Sequence, residues 1–213
     1  MTWQMLMEMT VKGFLAELAS KSPAPGGGSV SALAGSLAAA LVAMVARLTG
    51  TEGDNEGMRG IQGQAGDLME KLNRHVDEDT AAFSLVMQAY RLPKQTEAEK
   101  EQRAAAIQEA LKGAANHPLM VAEECLQVLV LCMEVVAIGN PNALSDAGVA
   151  SLMAYSGITG AMFNVAINLE GIKDPVFAQQ AKAERDRIMS EASHLYAGIQ
   201  TLVQKKLIYM VEW

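Results

Sequence analysis

Eighteen consecutive residues, Ser29 to Ala46, carry no charge, and their small members fall on one side of a helix. Wound at 3.6 residues per turn, the segment lines one face with Val30, Leu33, Leu37, Leu41, Met44 and Leu48. The other face is Ala32, Gly35, Ser36, Ala39, Ala43 and Ala46. A helix that is apolar all round is buried rather than left in water. Its small face admits close backbone approach, so the segment is expected at the centre of a helical bundle. A second uncharged stretch, Ala147 to Leu169, points the same way. Length alone allows either stretch to span a bilayer. The first, however, is mostly Ala, Gly and Ser, and the second carries Ser151, Tyr155, Ser156, Asn164 and Asn168, which are costly beside lipid. Buried helices of a bundle, with no membrane partner, are the reading.

The rest of the chain agrees. Half of its 213 residues are apolar but only 5% are aromatic, and runs of alternating β-branched residues are absent. No linker divides it, so residues 1–213 are expected to form one all-α domain of about seven helices, packed as a homodimer. A net charge of −7 and the lack of a Lys/Arg cluster argue against a nucleic-acid partner. Cys125 and Cys132 lie seven residues apart on an expected helix, about 10 Å at 1.5 Å per residue, beyond disulfide reach. They read as reduced core thiols of a cytoplasmic protein. The stretch Met1 to Lys12 has Glu8 among its apolar residues and no basic lead, so no signal peptide is expected.

Thr10 is placed to cap a first helix with the stripe Val11, Phe14, Leu15 and Leu18, which ends before the Pro- and Gly-rich run Ser22 to Gly28. Ser29 is expected to cap the second helix, to about Leu48; Thr49 to Gly60 reads as a loop that could act as a lid. A third helix is expected from Ile61 to Arg91. The capping box Thr96-Glu97-Ala98-Glu99 opens a fourth, to Asn116. Pro118 suits the first turn of a fifth, to Gly139. A sixth, capped by Ser145 or Asp146, runs to Leu169, and a seventh from Pro175 to Val211 carries Phe177, Ala181, Ile188, Leu195, Ile199 and Leu202 at helical spacing.

The third helix carries the sharpest chemical signal. Its stripe Leu68, Leu72, Val76, Phe83, Val86 and Tyr90 has Asp79 in the middle, two turns beyond Leu72. A carboxylate facing inward is unfavourable unless it is paired or used. It could take part in a proton transfer, in a salt bridge, or in a hydrogen bond to His75 one turn earlier. Asp77 and Glu78 point elsewhere, and Asp77 reads as mostly solvated. Pro25-Gly26-Gly27-Gly28-Ser29 leads into a helix N-terminus, whose free N–H groups attract anions. It is not a P-loop, since the Lys-Ser/Thr is missing, and a tight connection between helices is the simpler account. Asn164 and Asn168, one turn apart, could read a heterocycle or simply join helices. Asp146 is most simply an N-cap. His75, His117 and His194 show no ligand spacing, and neither cysteine has a CxxC partner, so no metal is expected.

Five segments in order, Ser22 to Ala32, Val76-Asp-Glu-Asp-Thr-Ala-Ala-Phe83, Leu92-Pro-Lys94, Gly139-Asn-Pro-Asn-Ala-Leu-Ser-Asp146 and Phe163-Asn-Val-Ala-Ile-Asn168, resemble one family. This is the cyclodeaminase domain of formiminotransferase-cyclodeaminase, with its stand-alone relatives, the formiminotetrahydrofolate cyclodeaminases and methenyltetrahydrofolate cyclohydrolases. The likeness runs from about Val11 to Ala178. It implies an all-helical, dimeric enzyme acting on a reduced one-carbon folate, without metal or other cofactor. Asp79, or its neighbour Asp77, is implied as the acid/base. By motif, Pro25, Gly26, Gly27, Gly28, Ser29, Asn140, Asp146, Asn164 and Asn168 become candidates for substrate contact. Lys94 and Arg103 could meet the carboxylates of the folate tail, or could be ordinary surface cations. The formiminotransferase domain of the bifunctional proteins has no counterpart among these residues, so a formimino group is expected to arrive on folate made elsewhere. The expected activity is cyclodeamination of 5-formiminotetrahydrofolate. The alternatives are methenyltetrahydrofolate cyclohydrolysis and a non-catalytic folate-binding or helical interaction module.

Overall fold

The structure, a computed structural model, describes residues 5–50 and 56–211. Among them are six α-helices: α1 (Val11–Leu18), α2 (Gly27–Thr49), α3 (Glu56–Arg91), α4 (Glu97–Ile138), α5 (Leu144–Leu169) and α6 (Pro175–Val211). Short 3-10 turns cover Leu6–Glu8 and Pro141–Ala143, and no strand occurs among the described residues. Central α2 packs against α3, α4 and α5, while α6 closes over α4 and α5. All-α architecture is thus as expected, with one helix fewer.

The missing boundary is at Pro118, where two expected helices run together as α4. A helix-interior proline has no N–H to give the carbonyl four residues back, here Ala114. The Asn168 side-chain amide, from α5, donates to that Ala114 carbonyl at 2.7 Å. A neighbouring helix therefore satisfies the group that the proline orphans, and α4 continues. The sequence around Pro118 holds no trace of this, because the donor is 54 residues away.

Local signals elsewhere fare better. Thr10 Oγ1 accepts from Gly13 N–H, and Thr96 with Glu99 forms the reciprocal capping box. Gly26, not Ser29, is the N-cap of α2, and α5 starts at Leu144, ahead of the expected caps Ser145 and Asp146. Helix α3 begins at Glu56, so most of the expected loop after Thr49 is either helix or, at residues 51–55, outside the described residues.

Helix α2 is where the pattern and the packing part company. Its small face is the more buried one: Ala32, Gly35, Ser36, Ala39 and Ala46 lie in the core, with Ala38, Val42 and Val45 beside them. Much of its large face is outward, with Val30, Leu37, Met44 and Leu48 all more than a third exposed, while Leu33 and Leu41 pack partly against the core. Small residues are what let α3, α4 and α5 approach one helix together, and the large side chains are left for whatever lies outside. Against α3 the contacts run antiparallel. Gly28 faces Asp79, Gly35 faces Leu72, and the Ser36 hydroxyl donates to Asn73. Cys125 of α4 fills the space over Gly35 and Gly157, and both cysteines are buried and free. Burial pushes both thiols well above the ordinary range, which leaves them inert. The two uncharged stretches are long and apolar enough to cross a bilayer, and more than half of the most apolar part of α2 is buried in protein.

Candidate active site

The last contact along the α2–α3 seam is the one that carries charge. At Gly28 an added Cβ would fall 2.0 Å from Asp79 Oδ1, so only glycine lets the carboxylate lie against the first turn of α2. Asp79 Oδ2 accepts from the Ser29 N–H at 3.0 Å and from the Ser29 hydroxyl at 3.2 Å. The helix N-terminus and the inward carboxylate, which the sequence offers as separate clues, are one feature: the anion held by α2 is Asp79 itself. Gly27 lies against the Asn164 side-chain amide, which donates to the Gly160 carbonyl, and Pro25 is buried behind the turn after a cis peptide bond. Gly27, Gly28 and Ser29 thus bring Asp79 and Asn164 together at the first turn of α2.

Behind Asp79 lies a group that spacing along the sequence does not reveal. His75 and Glu78 of α3 meet His117 and Glu124 of α4. His75 Nδ1 is 3.0 Å from His117 Nε2 and 3.0 Å from Glu78 Oε2, and His75 Nε2 is 3.3 Å from Glu124 Oε2. The last contact is off the line of a straight hydrogen bond, yet it is the charge that compensates Glu124 Oε2, an otherwise unpartnered buried atom. His117 Nδ1 looks toward Asp79 Oδ1 at 4.0 Å, too far for a direct hydrogen bond. The contact to Glu124, reinforced by the charges of Glu124 and Glu78, holds the His75 imidazole above its ordinary pKa despite burial. Burial and the neighbouring His75 push His117 below it. A proton shared by the pair is thus favoured on His75 over His117. His117 then accepts at Nε2 and presents its own N–H from Nδ1 toward Asp79.

Spacing along the sequence could not bring His75 and His117 together, because they lie on different helices, 42 residues apart in the chain. A ring nitrogen from each and a Glu78 oxygen lie within 4.8 Å of one another, a grouping tight enough to surround a cation. Nor does His75 bond to Asp79; it faces Glu78, Glu124 and His117.

The other expected site residues separate from this centre. Asp77 is not solvated: its Oδ1 accepts the Leu6 N–H and its Oδ2 is buried, so it anchors the N-terminal turn to α3. Asn168 is engaged by the Ala114 carbonyl. Asn140 lies at the opposite end of α2, its N–H donating to Thr49 Oγ1 at 2.8 Å and its side chain accepting from Asn142 N–H. Twenty residues of helix, about 30 Å, separate Ser29 from Thr49. Asp146, in the first turn of α5, follows directly from that far connection. Arg103 donates twice to the Tyr90 carbonyl and lies over the Tyr90 ring, closing the α3–α4 hairpin, while Lys94 is exposed in the connection. Beyond Asp79 the apolar stripe of α3 leaves the core, with Phe83 and Tyr90 exposed.

Comparison with known proteins adds independent findings. Residues 10–187 match the family described as formiminotransferase-cyclodeaminase. A methenyltetrahydrofolate cyclohydrolase of Methylorubrum extorquens is 40% identical over 205 residues, covering 93% of this chain and 97% of that one. A formimidoyltransferase-cyclodeaminase of Mus musculus is 36% identical over 89% of this chain, which spans only 36% of the mouse protein. The crystal structure of formiminotetrahydrofolate cyclodeaminase from Thermotoga maritima superposes with a TM-score of 0.84 at 27% identity, over 94% of this chain and 98% of that one.

Proposed function

Since the chain belongs to the formiminotransferase-cyclodeaminase family, we propose that it converts 5-formiminotetrahydrofolate to 5,10-methenyltetrahydrofolate and ammonia, with Asp79 as the acid/base. The observation that carries this reading is the seating of Asp79 on Gly28 and Ser29, which fixes one carboxylate at the mouth of a helix beside an imidazole N–H. In the reaction N10 adds to the formimino carbon and gives up its proton to Asp79. Asp79 returns that proton to the former imine nitrogen, making an amino group on a tetrahedral carbon. As ammonia departs, positive charge develops on the N5–C–N10 unit, and the carboxylate beside it stabilises that charge. Pro25 to Ser29 and Asn164 form the wall against which the pterin would lie, and Lys94 remains for the tail carboxylates.

A second reading, methenyltetrahydrofolate cyclohydrolysis, is favoured by the 40% identity to a relative of that name along almost its full length. There Asp79 would take a proton from the water that attacks the methenyl carbon. In both readings a second copy of the chain covers the outward stripe Val30, Leu37, Met44 and Leu48, giving a homodimer. The inert, buried thiols suit the cytoplasm.

The near-ultraviolet absorbance of methenyltetrahydrofolate tests the proposal directly. It should rise with 5-formiminotetrahydrofolate for the first reaction, or decay faster than in buffer for the second. Asp79→Asn, folded, should lower kcat by about 10³-fold or more. No turnover of either folate by the folded wild-type chain would remove the enzyme reading.

A further inference from the structure

The proton count of the proposed reaction leaves a gap that the structure fills. Neutral 5-formiminotetrahydrofolate becomes a methenyl cation plus ammonia, so one proton must be supplied from outside the substrate. Asp79 only moves the N10 proton to the leaving nitrogen. It ends as it began and contributes none. A second proton is needed to turn that amino group into ammonia as the C–N bond breaks and its electron pair leaves with nitrogen.

We propose that His117 is the second catalytic residue of this site, handing its Nδ1 proton to the departing nitrogen while His75, held by Glu124, replaces that proton at His117 Nε2. The inference rests on the folate reading above. Its geometric basis is the line of groups from Asp79 Oδ1 to His117 Nδ1 at 4.0 Å, from His117 Nε2 to His75 Nδ1 at 3.0 Å, and from His75 Nε2 to Glu124 at 3.3 Å. The 4.0 Å opening is the one interruption, and a substrate nitrogen can lie within hydrogen-bond distance of both groups there. Charge balances: His75 starts with both ring N–H groups, loses the Nδ1 proton to His117, and ends neutral with its Nε2–H still on Glu124. The starting state returns when a solvent proton reaches His117 Nδ1 through the vacated site and the Nε2 proton passes back to His75 Nδ1, where the carboxylate of Glu78, about half exposed and 3.0 Å away, stabilises the recharged ring. Among the described residues, the titratable groups facing the pair are Asp79, Glu78 and Glu124, from α3 and α4. In cyclohydrolysis the balance reverses, water addition releases one proton, and the same line carries it out.

The test compares His117→Asn, His75→Gln and Asp79→Asn with wild type in whichever folate reaction the protein turns over. His117→Asn should lose about 10²–10⁴-fold in kcat, with KM within threefold and the melting temperature nearly kept. Added imidazole should restore at least tenfold. In cyclodeamination the wild-type kcat falls as pH rises through the His75 titration. In His75→Gln that fall should move at least one pH unit lower. If His117→Asn stays within twofold of wild type while Asp79→Asn is inactive, the relay is wrong and the folate reading stands. A changed melting temperature with an unmoved pH limb and no imidazole rescue reduces the pair to a structural clasp, which also overturns it. So does activity that a chelator abolishes and zinc restores, because the ring nitrogens would then be ligands. An inactive wild type counts against the folate reading instead.

Discussion

Gly28 and Gly35 lie on one face of α2, two turns apart, opposite Asp79 and Leu72, which are spaced by the same seven residues on α3. The two layers are built alike. At each, the glycine lets the α3 side chain reach the α2 backbone; an added Cβ would meet Asp79 Oδ1 at 2.0 Å in one, and in the other Leu72 at 3.1 Å and, closer still, Cys125 of α4 at 2.3 Å. Yet the first layer holds a carboxylate against N–H and O–H donors, and the second holds Leu72 and the Cys125 thiol in the core. One geometric device serves position in one place and density in the other, and what stands across from the glycine decides which.

The comparison breaks most visibly if both glycines become alanine, one at a time. Gly28→Ala displaces only the tip of Asp79, so it should fold almost normally and lose at least about a hundredfold in turnover, the usual cost of about 1 Å of misplacement. Steady-state rates and a thermal melt on the same sample check both halves of that statement. Gly35→Ala should do the reverse. Its Cβ meets Cys125 Sγ in a filled interior, which costs about 1–3 kcal/mol of stability, while kcat per folded molecule is retained. Equal losses of activity from the two variants would show that the layers do not differ in function.

Asn168→Ala sharpens the boundary of the site. The Ala114 carbonyl freed by Pro118 would lose its donor, for about 1–2 kcal/mol in denaturant unfolding, with KM for folate unchanged. A large rise in KM would return Asn168 to the substrate contacts.

The smallest effect concerns pH. Because the folded-state pKa of His75 is raised, its stabilising contribution is full below about pH 6.5 and is lost as pH rises through the raised value. For His117, held neutral by burial, the sign is opposite: stability is lost as pH falls below about 6.5 toward its lowered value. Together they give a shallow stability maximum near pH 6.5. In melts across pH 5 to 8.5, His75→Gln should flatten the alkaline side and His117→Gln the acid side. If neither variant changes the profile, the proton is not shared as described.

Much of this was legible before any coordinates. The 3.6-residue periodicity, the capping residues Thr10 and Thr96 and the inward Asp79 are local properties, set by interactions within a few residues of one another. The convergence of Asp79 with Gly28, Ser29 and Asn164 could be anticipated only through likeness to a family. The histidine pair, the role of Asn168, the anchoring of Asp77 and the removal of Asn140 to the far end of α2 could not be read. Each depends on a partner 42 to 91 residues away.

The amino-acid order thus determined that the chain would be helical, where α1, α4 and α6 begin, and which carboxylate faces inward, because backbone hydrogen bonding and burial of an apolar stripe act over short separations. The tertiary structure alone decided which face of α2 is buried, whether Pro118 ends a helix, and which acid meets which base. Those outcomes depend on how closely separate helices can approach, and that distance is a property of the packed bundle rather than of any one of its segments.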